Sequence, residues 1–506
     1  MIDPKAAYQA LISRDARFDG VFYVGVTSTG IYCRPVCPVK PPKAKNCRFF
    51  ASAEAAEKAA FRPCLRCRPE LAPGNAPVDN AHRVAHLLIQ RIEEGLAGEG
   101  VDLEGIAAQF GLSSRQVRRI TQKELGVSPI ELLQTRRLLL AKQLLTETNL
   151  SVIDIAFASG FASLRRFNDA FSTQYRMPPT RLRRETGQPQ TELAAHPTTT
   201  LRLGYRPPYD WEAFLEFLHG RRILGVEAVT PEAYLRTVRL GQHVGWIRIT
   251  HVADERVLKM EFSNSLMPCL PALLRRVRML FDLSARPDLI VRQLRKDPRL
   301  KDSVGLNPGL RVPGAFDGFE LTWRAILGQQ ITVQAATTLA GRIAQAFGET
   351  LATPHGELIR LTPSAATLAD ADVREIARLG IVSSRAAALQ SAARAFQSGT
   401  LRLEPGAEPD SAIAQLVGLP GIGPWTAHYI AMRALRWPDA FPPGDVAVLR
   451  NLEGVTARQA ELLSQAWRPW RSYAVMHLWR KIQPMKNAEA RRRGGDARVH
   501  ESGNSL

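Results

Sequence analysis

The chain has 506 residues, too many for one hydrophobic core, and the usual size of protein domains predicts about three or four of them. Its 67 Lys and Arg residues outnumber 48 Asp and Glu residues, and the net charge of +19 favours a polyanionic partner, either nucleic acid or a membrane surface. No stretch approaches the roughly 20 apolar residues that span a bilayer, and residues 1–9 lack the segments of a signal peptide, so we expect a soluble cytoplasmic protein.

Residues 1–75 have an irregular pattern, in which proline-rich segments flank a short helical stretch at 52–60. Five of the six cysteines lie here, namely Cys33, Cys37, Cys47, Cys64 and Cys67. The pairs Cys33-x3-Cys37 and Cys64-x2-Cys67 are separated by 26 residues, which is the paired-ligand spacing of a tetrahedral thiolate zinc site. Spacing alone favours a purely structural zinc, which would stabilise a segment with little core of its own.

Two segments around these cysteines are more specific: TGIYCRPVCP at 29–38 and FRPCLRC at 61–67. Over residues 5–72 the chain resembles the N-terminal domain of the Ada response proteins. The resemblance implies that Cys33 accepts a methyl group from a methylated DNA phosphate, while the other three cysteines complete the zinc shell. Zinc keeps a thiol in its nucleophilic thiolate form, and methylation removes one negative charge, which would raise the affinity for DNA phosphates. Cys47 lies outside the pattern and receives no role.

The pattern becomes helical in residues 81–185, with apolar residues at helical spacing in 85–92, 132–145 and 152–157. The stretch IAAQFGLSS at 106–114 recurs 49 residues later as IAFASGFAS at 155–163. Each copy has an apolar helix, a glycine suited to a turn with positive φ, and a serine that can cap a second helix. One such copy is more often ordinary packing, but two copies at this spacing indicate a pair of helix-turn-helix units.

With the segment QYRMPP at 174–179, the two units resemble the AraC-type DNA-binding domain, which follows the zinc module in Ada proteins. The resemblance implies that both second helices enter the major groove of promoter DNA. Some of their polar residues would contact phosphates rather than bases. The candidates are Arg115, Gln116, Arg118, Arg119, Arg165, Arg166 and Asn168.

The rest of the chain predicts a linker, two domains and a tail. Residues 186–200 are polar and rich in Pro and Thr, which is typical of a linker. Residues 201–285 have an α+β pattern, with a helix predicted at 211–218 and strands at 234–240, 245–251 and 257–262. Residues 286–483 return to helices separated by Gly and Pro, and residues 484–506 form a polar tail that we expect to be disordered.

The predicted fold class is therefore multidomain. It comprises a small zinc-stapled α+β domain (1–75), an all-α double helix-turn-helix domain (81–185), an α+β domain (201–285) and an all-α helix-hairpin-helix domain (286–483). The last assignment depends on LVGLPGIGPWTA at 416–427, whose glycines can present backbone N–H groups to a DNA phosphate without reading its sequence. Just after it, FPPGDV at 441–446 places Asp445 on a turn, where an isolated Asp is usually only an N-cap.

Three further segments favour a catalytic role for this carboxylate: PPYDW at 207–211, AILGQQ at 325–330 and RSYAVMHLW at 471–479. Together with the hairpin they resemble the AlkA family of 3-methyladenine DNA glycosylases, across residues 201–483. The resemblance implies that Asp445 is the catalytic carboxylate. It also implies that Gly421, Gly423 and Thr426 hold DNA and that the base pocket is lined by Phe217, Trp425, Tyr429 and Trp479.

Aromatic walls suit a flipped base that alkylation has made cationic, and such a base leaves the sugar without a second acid. Trp425 stands where lyase-active relatives carry a Schiff-base lysine, so we expect hydrolysis without strand cleavage. Gln330, one of the predicted DNA-binding residues, occupies the place of an apolar wedge, so the gap left by the flipped base is filled either by a polar side chain or by another residue. Gly444 and Val446 replace an acid and a pocket tyrosine, which leaves the lesion range open. No iron–sulfur cluster is expected, because no cysteine follows Cys269.

The combined prediction is a DNA-repair protein that joins a zinc-dependent regulator to a DNA glycosylase. Its partners would be double-stranded DNA, at alkylated lesions and at promoter sites, with RNA polymerase as a further candidate and no membrane. A pure transcription factor is the first alternative, but it leaves Asp445 and the aromatic set unexplained. A direct-reversal enzyme for alkylated guanine is the second, but it needs Pro-Cys-His-Arg, whereas the Pro-Cys pairs here continue as Leu65-Arg66 and Leu270-Pro271.

Overall fold

The computed structural model describes residues 3–73, 103–109, 112–186, 197–403 and 407–480. The predicted helical stretch at 85–92, most of the predicted linker and the predicted tail lie outside these residues. The multidomain fold class is confirmed: a small sheet module is followed by a helical region, a five-stranded sheet and a second helical region. No helix in the described part of the chain is long and apolar enough to cross a membrane.

The N-terminal module contains a sheet, as its predicted α+β class requires, although the sequence pattern located none of the individual strands. Its strands β1 (Tyr23–Val26), β2 (Ile31–Cys33), β3 (Cys47–Phe50) and β4 (Arg62–Pro63) lie in the order β3-β1-β2-β4. These strands have two to four residues, too short to display the alternation that identifies a strand. Helices α1 (Pro4–Ile12) and α2 (Ala53–Lys58) complete the module, and α2 confirms the helical stretch predicted at 52–60.

The following helices form the two predicted helix-turn-helix units. They are α3 (Leu103–Gln109), α4 (Ser114–Leu125), α5 (Pro129–Glu147), α6 (Val152–Ala158), α7 (Leu164–Tyr175) and α8 (Pro179–Thr186). The hydroxyls of Ser113 and Ser163 accept hydrogen bonds from the first turns of α4 and α7, so each second helix begins with the expected serine cap. Gly160 has φ +86°, as expected for the turn of the second unit, whereas Gly111 lies outside the described residues.

The next sheet is antiparallel throughout, with the order β5-β9-β8-β7-β6. The strands are β5 (Thr198–Gly204), β6 (Glu227–Val229), β7 (Ala233–Leu240), β8 (His243–Val252) and β9 (Val257–Ser263), and α9 (Trp211–His219) lies between β5 and β6. The predicted helix and three strands are therefore present. Strand β5 begins at Thr198, inside the predicted linker, because its Thr-rich sequence suits a strand as well as a loop.

Helices fill the remainder of the described chain, and they bury two apolar cores. They are α10 (Leu270–Leu280), α11 (Pro287–Leu294), α12 (Pro298–Leu306), α13 (Gly318–Leu327), α14 (Val333–Phe347), α15 (Ala365–Asp370), α16 (Val373–Arg378), α17 (Ser383–Gln397), α18 (Pro409–Val417), α19 (Pro424–Arg433), α20 (Val446–Asn451), α21 (Ala457–Ser464) and α22 (Arg471–Arg480). Tyr429 packs against one of these cores, and Phe217 and Trp479 pack against the other, so these aromatic side chains lie where the two cores meet.

The regions are not independent of one another, because one continuous apolar core joins helices α5 to α8 with the five-stranded sheet. Helix α5 also covers the edge of that sheet: Gln143 Nε2 donates to the carbonyl of Arg202 (2.8 Å), and Glu147 accepts from its N–H (3.0 Å). These two bonds occupy backbone groups that an edge strand would otherwise leave free.

The N-terminal module docks on both of these elements. Lys142 of α5 pairs with Glu70 in a contact where both side chains are buried, and Arg206 Nε donates to the carbonyl of Asp19 (2.9 Å). Gly204 lies so close to the module that a Cβ atom there would be 2.1 Å from the carbonyl oxygen of Leu71. The zinc module, the helix-turn-helix region and the sheet therefore form one packed body.

Candidate functional sites

The four predicted zinc ligands lie together in the structure. Strand β2 ends at Cys33 and pairs in parallel with β4, and the N–H of Cys64 donates to the carbonyl of Tyr32 (3.0 Å). A turn brings Cys37 back, because its N–H donates to the carbonyl of Arg34 (3.1 Å). The Sγ atoms of Cys33, Cys37, Cys64 and Cys67 all lie within 4.8 Å of one another. Tetrahedral zinc with bonds of about 2.3 Å needs sulfurs about 3.8 Å apart, so the set fits one four-cysteine zinc site.

Arg34 holds the loop that follows Cys33. Its N–H donates to Cys67 Sγ (3.3 Å), its Nη1 donates to the carbonyl of Cys67 (2.9 Å), and its guanidinium forms a bidentate pair with Asp19. Cys33 is partly exposed, whereas the other three cysteines are buried. Cys47 lies on β3 outside the cluster, in agreement with the absence of a predicted role. The surface of the same module carries the exposed cations Lys40, Lys43, Lys45 and Arg66, which the sequence reasoning did not single out.

The predicted DNA-reading residues lie on α4 and α7. Arg115, Arg118, Arg119, Arg165 and Arg166 have exposed side chains, as groove contacts require, and Asn168 is partly buried. Gln116 is also exposed, and its side chain has a structural role at the start of α4. Its Oε1 accepts from the N–H of Ser113 (2.8 Å), which completes a capping box at the start of α4.

Asp445 is held by three hydrogen bonds at the start of α20. Its Oδ1 accepts from the N–H of Val448 (3.0 Å) and from Trp479 Nε1 (3.0 Å), and its Oδ2 accepts from Trp425 Nε1 (2.9 Å). The side chain is thus an N-cap, as a bare Asp before a helix would be, but both of its oxygens are also oriented by indole N–H groups. Asp445 is only 7% exposed, so these bonds act in a largely dry environment.

The four predicted pocket aromatics form one assembly around this carboxylate. Trp425 and Tyr429 stack with ring centroids 5.4 Å apart, and Phe217 and Trp479 are nearly parallel at 6.3 Å. Tyr429 and Trp479 approach at 6.2 Å, which joins the two pairs. All four rings are partly exposed, so none of them is fully enclosed in a core.

The hairpin between α18 and α19 has the expected shape, since Gly421 has φ +79° and Gly423 caps α19 with both glycines exposed. Thr426, which was predicted to hold DNA, is 3% exposed, and its hydroxyl accepts from Gln329 Nε2 (2.9 Å). Its side chain therefore lies under the hairpin and fastens it to the α13–α14 loop, because the first turn of α19 points that position inward. The next residue on that loop, Gln330, is exposed and has φ +55°.

Two arginines that contact these rings were missed by the sequence reasoning. Arg221 lies with its guanidinium carbon 3.8 Å from the ring centroid of Phe217, and Arg433 Nη1 donates to the phenolic oxygen of Tyr429 (2.7 Å). Each stands four residues after an aromatic pocket residue on the same helix or just beyond it. That spacing was available in the sequence, but it is also common on ordinary solvated helix faces.

Comparison with known families agrees with the order of these regions. Residues 6–70 match the metal binding domain of Ada, and residues 106–185 match a helix-turn-helix domain. Residues 200–317 match the AlkA N-terminal domain. Residues 323–470 match the HhH-GPD superfamily of base excision DNA repair proteins. A zinc module, a DNA-binding region and a base-excision repair fold are therefore present in one chain.

Individual relatives cover the whole chain or one of its halves. The chain is 38% identical, over 95% of its length and 97% of the relative, to the probable bifunctional transcriptional activator/DNA repair enzyme AlkA of Mycobacterium tuberculosis. It is 35% identical to DNA-3-methyladenine glycosylase 2 of Escherichia coli, over 55% of the chain and 95% of that protein. It is 33% identical to the bifunctional transcriptional activator/DNA repair enzyme AdaA of Bacillus subtilis, over 36% of the chain and 84% of that protein.

Proposed function

Because the chain belongs to the AlkA-type family of bifunctional transcriptional activator/DNA repair enzymes, we propose that it combines three activities on DNA. Cys33 accepts a methyl group from DNA methylphosphotriesters, and the methylated form binds promoter DNA through α4 and α7. The C-terminal half hydrolyses the N-glycosidic bond of alkylated purines such as 3-methyladenine. Transcriptional activation then involves RNA polymerase as a further partner, in the cytoplasm at the nucleoid.

We assign methyl transfer to the domain 1–75, promoter binding to the domain 81–185, and base excision to the domains 201–285 and 286–483, with a linker at 186–200. Methyl transfer is supported by the exposure of Cys33 in a set whose other members are buried. Zinc, when bound, keeps the four thiols in the thiolate form. The Cys33 sulfur attacks the methyl carbon, the bond from that carbon to the phosphate oxygen breaks, and its electron pair remains on the oxygen as an ordinary phosphodiester. The thioether product is a poor leaving group, so each protein molecule reacts once.

We expect Cys33 to gain the mass of one methylene group when the protein is incubated with duplex DNA that carries methylphosphotriesters. Peptide mass mapping would locate the modification. Cys33→Ser should lose it completely, whereas Cys47→Ser is the matched control, because Cys47 is a partly exposed cysteine outside the cluster. Methylation of Cys37, Cys64 or Cys67 in the wild type would contradict the assignment of the nucleophile.

The glycosylase proposal is carried by one observation, a buried carboxylate oriented by two tryptophan N–H groups at the end of an aromatic pocket. When the bond between C1′ and the base nitrogen breaks, its electron pair leaves with the base and positive charge develops on the sugar. The Asp445 carboxylate stabilises that charge and directs a water molecule to C1′. As the bond from the water oxygen to C1′ forms, the proton of the water passes to the carboxylate and from there to solvent. Trp425 occupies the place of a lyase lysine, so an intact abasic site is the expected product.

We expect Asp445→Asn to lower base release by about 100- to 1000-fold, the usual cost of removing one well-placed charge, while DNA binding remains. The measurement is base release and backbone nicking on one labelled duplex by the full chain. Asp297→Asn is the matched control, because Asp297 also caps a helix and also accepts an indole N–H, from Trp467 (2.7 Å), outside the pocket. Equal loss in both variants, or borohydride trapping of the wild type on DNA, would contradict the proposal.

A further inference from the structure

Helices α11 and α12 and the turn between them carry a dense group of exposed cations. Five of the ten residues from 292 to 301 are Lys or Arg, and all five are exposed. Arg292 and Arg295 are three residues apart at the end of α11, so they lie on the same side of this helix. The group, which we call the α11–α12 patch, consists of Arg292, Arg295, Lys296, Arg299 and Lys301.

The positive charge of the patch is only partly compensated. Asp297 is 8% exposed, and its carboxylate accepts from Trp467 Nε1 (2.7 Å) and from the N–H of Arg299 (2.8 Å). Asp302 follows at the edge of the patch, so five cations and two acids leave a net charge of +3 over residues 292–302. Arg299 pairs with Asp297 (3.4 Å), whereas no carboxylate among the described residues lies within ion-pair distance of the other four cations.

The helices that carry the patch are fixed to the rest of the C-terminal half. Gln293 Nε2 donates to the carbonyl of Ala466 (3.0 Å), and Ser303 Oγ lies 3.1 Å from His477 Nδ1 in a buried hydrogen bond. Leu300 is buried in one of the two apolar cores. The cations are thus presented on a preformed surface, which loses less conformational entropy on binding than a mobile tail would.

The beginning of α11 is also fixed relative to the N-terminal module. Arg206 is 1% exposed, and it donates from Nε to the carbonyl of Asp19 (2.9 Å) and from Nη1 to the carbonyl of Ser284 (2.7 Å). Ser284 stands three residues before α11 begins. The side chain of the same Asp19 pairs with Arg34, whose N–H donates to Cys67 Sγ (3.3 Å). One buried arginine therefore connects the start of α11 with the loop beside the cysteine cluster.

Exposed cations also lie on the N-terminal module itself. Arg14 Nη2 donates to the carbonyl of Pro38 (2.9 Å), and the loop that follows carries the exposed residues Lys40, Lys43 and Lys45. Duplex DNA carries one negative charge per about 1.7 Å of its axis, and its persistence length is about 150 bp. A duplex that the module engages therefore continues past the module as a nearly straight rod of negative charge.

The composition of α11 and α12 favours a duplex over other polyanions. Residues 287–306 contain no Phe, Tyr or Trp, whereas surfaces that bind single strands combine cations with stacking aromatic side chains. Helices that bind membranes combine cations with a face of large apolar residues, but Leu306 is the one large apolar residue of this stretch that is strongly exposed. Cations without such companions suit phosphate contacts that do not read the sequence.

We propose that the α11–α12 patch binds the phosphate backbone of the duplex that the N-terminal module engages, so that the DNA surface of the regulatory half continues onto the C-terminal half. This contact lies outside the hairpin and the aromatic set, and its test rests on the proposed methyl transfer for one of its readouts. The patch raises the affinity for the DNA that Cys33 acts on, but it takes no part in the reaction of the sulfur.

The test uses the full chain and a duplex of about three helical turns with one central methylphosphotriester, together with the same duplex unmodified. In Arg292→Gln/Arg295→Gln we expect the affinity for the unmodified duplex to fall about 3- to 10-fold at ~0.1 M salt. The slope of log affinity against log salt should become shallower by about 1 to 2, because each lost phosphate contact contributes about 0.9.

Two readouts connect the patch with the N-terminal module. The rate of Cys33 methylation should fall by the same factor at subsaturating DNA and stay unchanged at saturating DNA, because only binding is weakened. In a hydroxyl-radical footprint, the double variant should lose protection of the backbone on one side of the phosphotriester.

Two matched variants separate the patch from charge in general. Arg292→Lys/Arg295→Lys retains the charge and should keep most of the affinity and the wild-type footprint. Arg394→Gln/Arg402→Gln removes the same charge from two exposed arginines on and just after α17, and it should leave the footprint and the methylation rate unchanged. Melting temperatures equal to that of the wild type verify that the variants are folded.

Four outcomes would overturn the inference. They are an unchanged salt slope and footprint in Arg292→Gln/Arg295→Gln, equal losses in Arg394→Gln/Arg402→Gln, slower methylation at saturating DNA, and weaker binding to phosphatidylserine vesicles with unchanged affinity for DNA. If the wild type accepted no methyl group from the phosphotriester, the proposed methyl transfer would fail, while the salt slope on the unmodified duplex would still decide the role of the patch.

Discussion

At the scale of single residues, Asp445 combines the hydrogen bond of a helix N-cap with two bonds that suit its proposed catalytic role. The bond to the N–H of Val448 is the ordinary bond of an N-cap, while the bonds from Trp425 and Trp479 fix the plane of the carboxylate. A carboxylate held in this way needs little reorganisation when positive charge develops on the sugar. The two tryptophans therefore orient Asp445 in addition to belonging to the aromatic set.

We expect Trp479→Phe to lower base release by about 10-fold or more, because it retains an aromatic wall but removes a hydrogen bond to a charged group. The measurement is single-turnover base release together with the melting temperature. Trp467→Phe is the control, since it removes the indole bond to Asp297 in the same way. If the two variants lost equal activity, the effect would be one of general stability.

The sequence predicted the identities of the residues at this site better than it predicted the contacts between them. Asp445 and the four aromatics were identified from motifs, and the structure brings them together. Arg221 and Arg433 were missed, because a guanidinium against an aromatic ring depends on tertiary packing that no local pattern records. The hydrogen bond between Thr426 and Gln329 was not predicted either, because Gln329 lies on a loop 97 residues earlier.

At the scale of secondary-structure elements, the contact between α2 and α5 depends on one buried carboxyl group. Glu57 Oε1 accepts from the hydroxyl of Tyr32 (2.9 Å), and Oε2 accepts from Thr135 of α5 (2.7 Å). Burial raises the pKa of Glu57 to about 8 from an ordinary value of 4.5, with Glu54 acting in the same direction and Arg136 against it. The protonated form is therefore favoured where the zinc module meets the helix-turn-helix region.

Because the pKa of Glu57 is raised in the folded state, the free energy of unfolding should depend on pH in a definite direction. Below the pKa of Glu57 in the unfolded chain, the carboxyl group is protonated in both the folded and the unfolded state, and the contact contributes its full stability. Above that pKa the unfolded chain releases the proton, whereas the folded protein keeps it until about pH 8. Stability should therefore decline as the pH rises through this window. Glu57→Gln should show a weaker decline of melting temperature.

The control for this prediction is Glu131→Gln. Glu131 also faces the zinc module, through Lys58, but it is largely exposed, and a backbone bond from Ser128 lowers its pKa. The melting temperature of Glu131→Gln should therefore keep the wild-type dependence on pH in the same window. Identical pH profiles for Glu57→Gln and the wild type would contradict the role assigned to the buried carboxyl group.

Element lengths explain which parts of the fold were predictable. Helices such as α5, with 19 residues, have enough turns for an apolar pattern to appear, and they were found from the sequence. Strands β1 to β4 have at most four residues, so the module seemed irregular. Strand β5 was partly hidden because its first residues are threonines, which occur in both strands and loops.

At the scale of the whole molecule, the main departure from expectation is that the regulatory and catalytic halves share a core. A Pro- and Thr-rich segment between two patterns suggested independent domains. The contacts that join them link residues far apart in sequence, such as Asp19 with Arg206 and Gln143 with Arg202, so periodicity could not reveal them.

We expect a fragment of residues 197–480 to melt several degrees below the full chain and to bind more of a hydrophobic dye, because removal of α5 to α8 uncovers apolar surface of the sheet. Differential scanning calorimetry and dye fluorescence would measure the two effects. Equal melting temperatures without added dye binding would show that the shared core contributes little to stability.

A substitution at Gly204 would act on both halves of the molecule, because this residue lies against the N-terminal module. Any side chain at this position would collide with the backbone of Leu71, while the cysteine cluster and the base pocket would keep all of their own residues. A single missense allele there would be pleiotropic, since it would disturb an inducible response and a repair capacity without changing a codon of either site. Suppressors of such an allele should map to residues 69–72 rather than to either site.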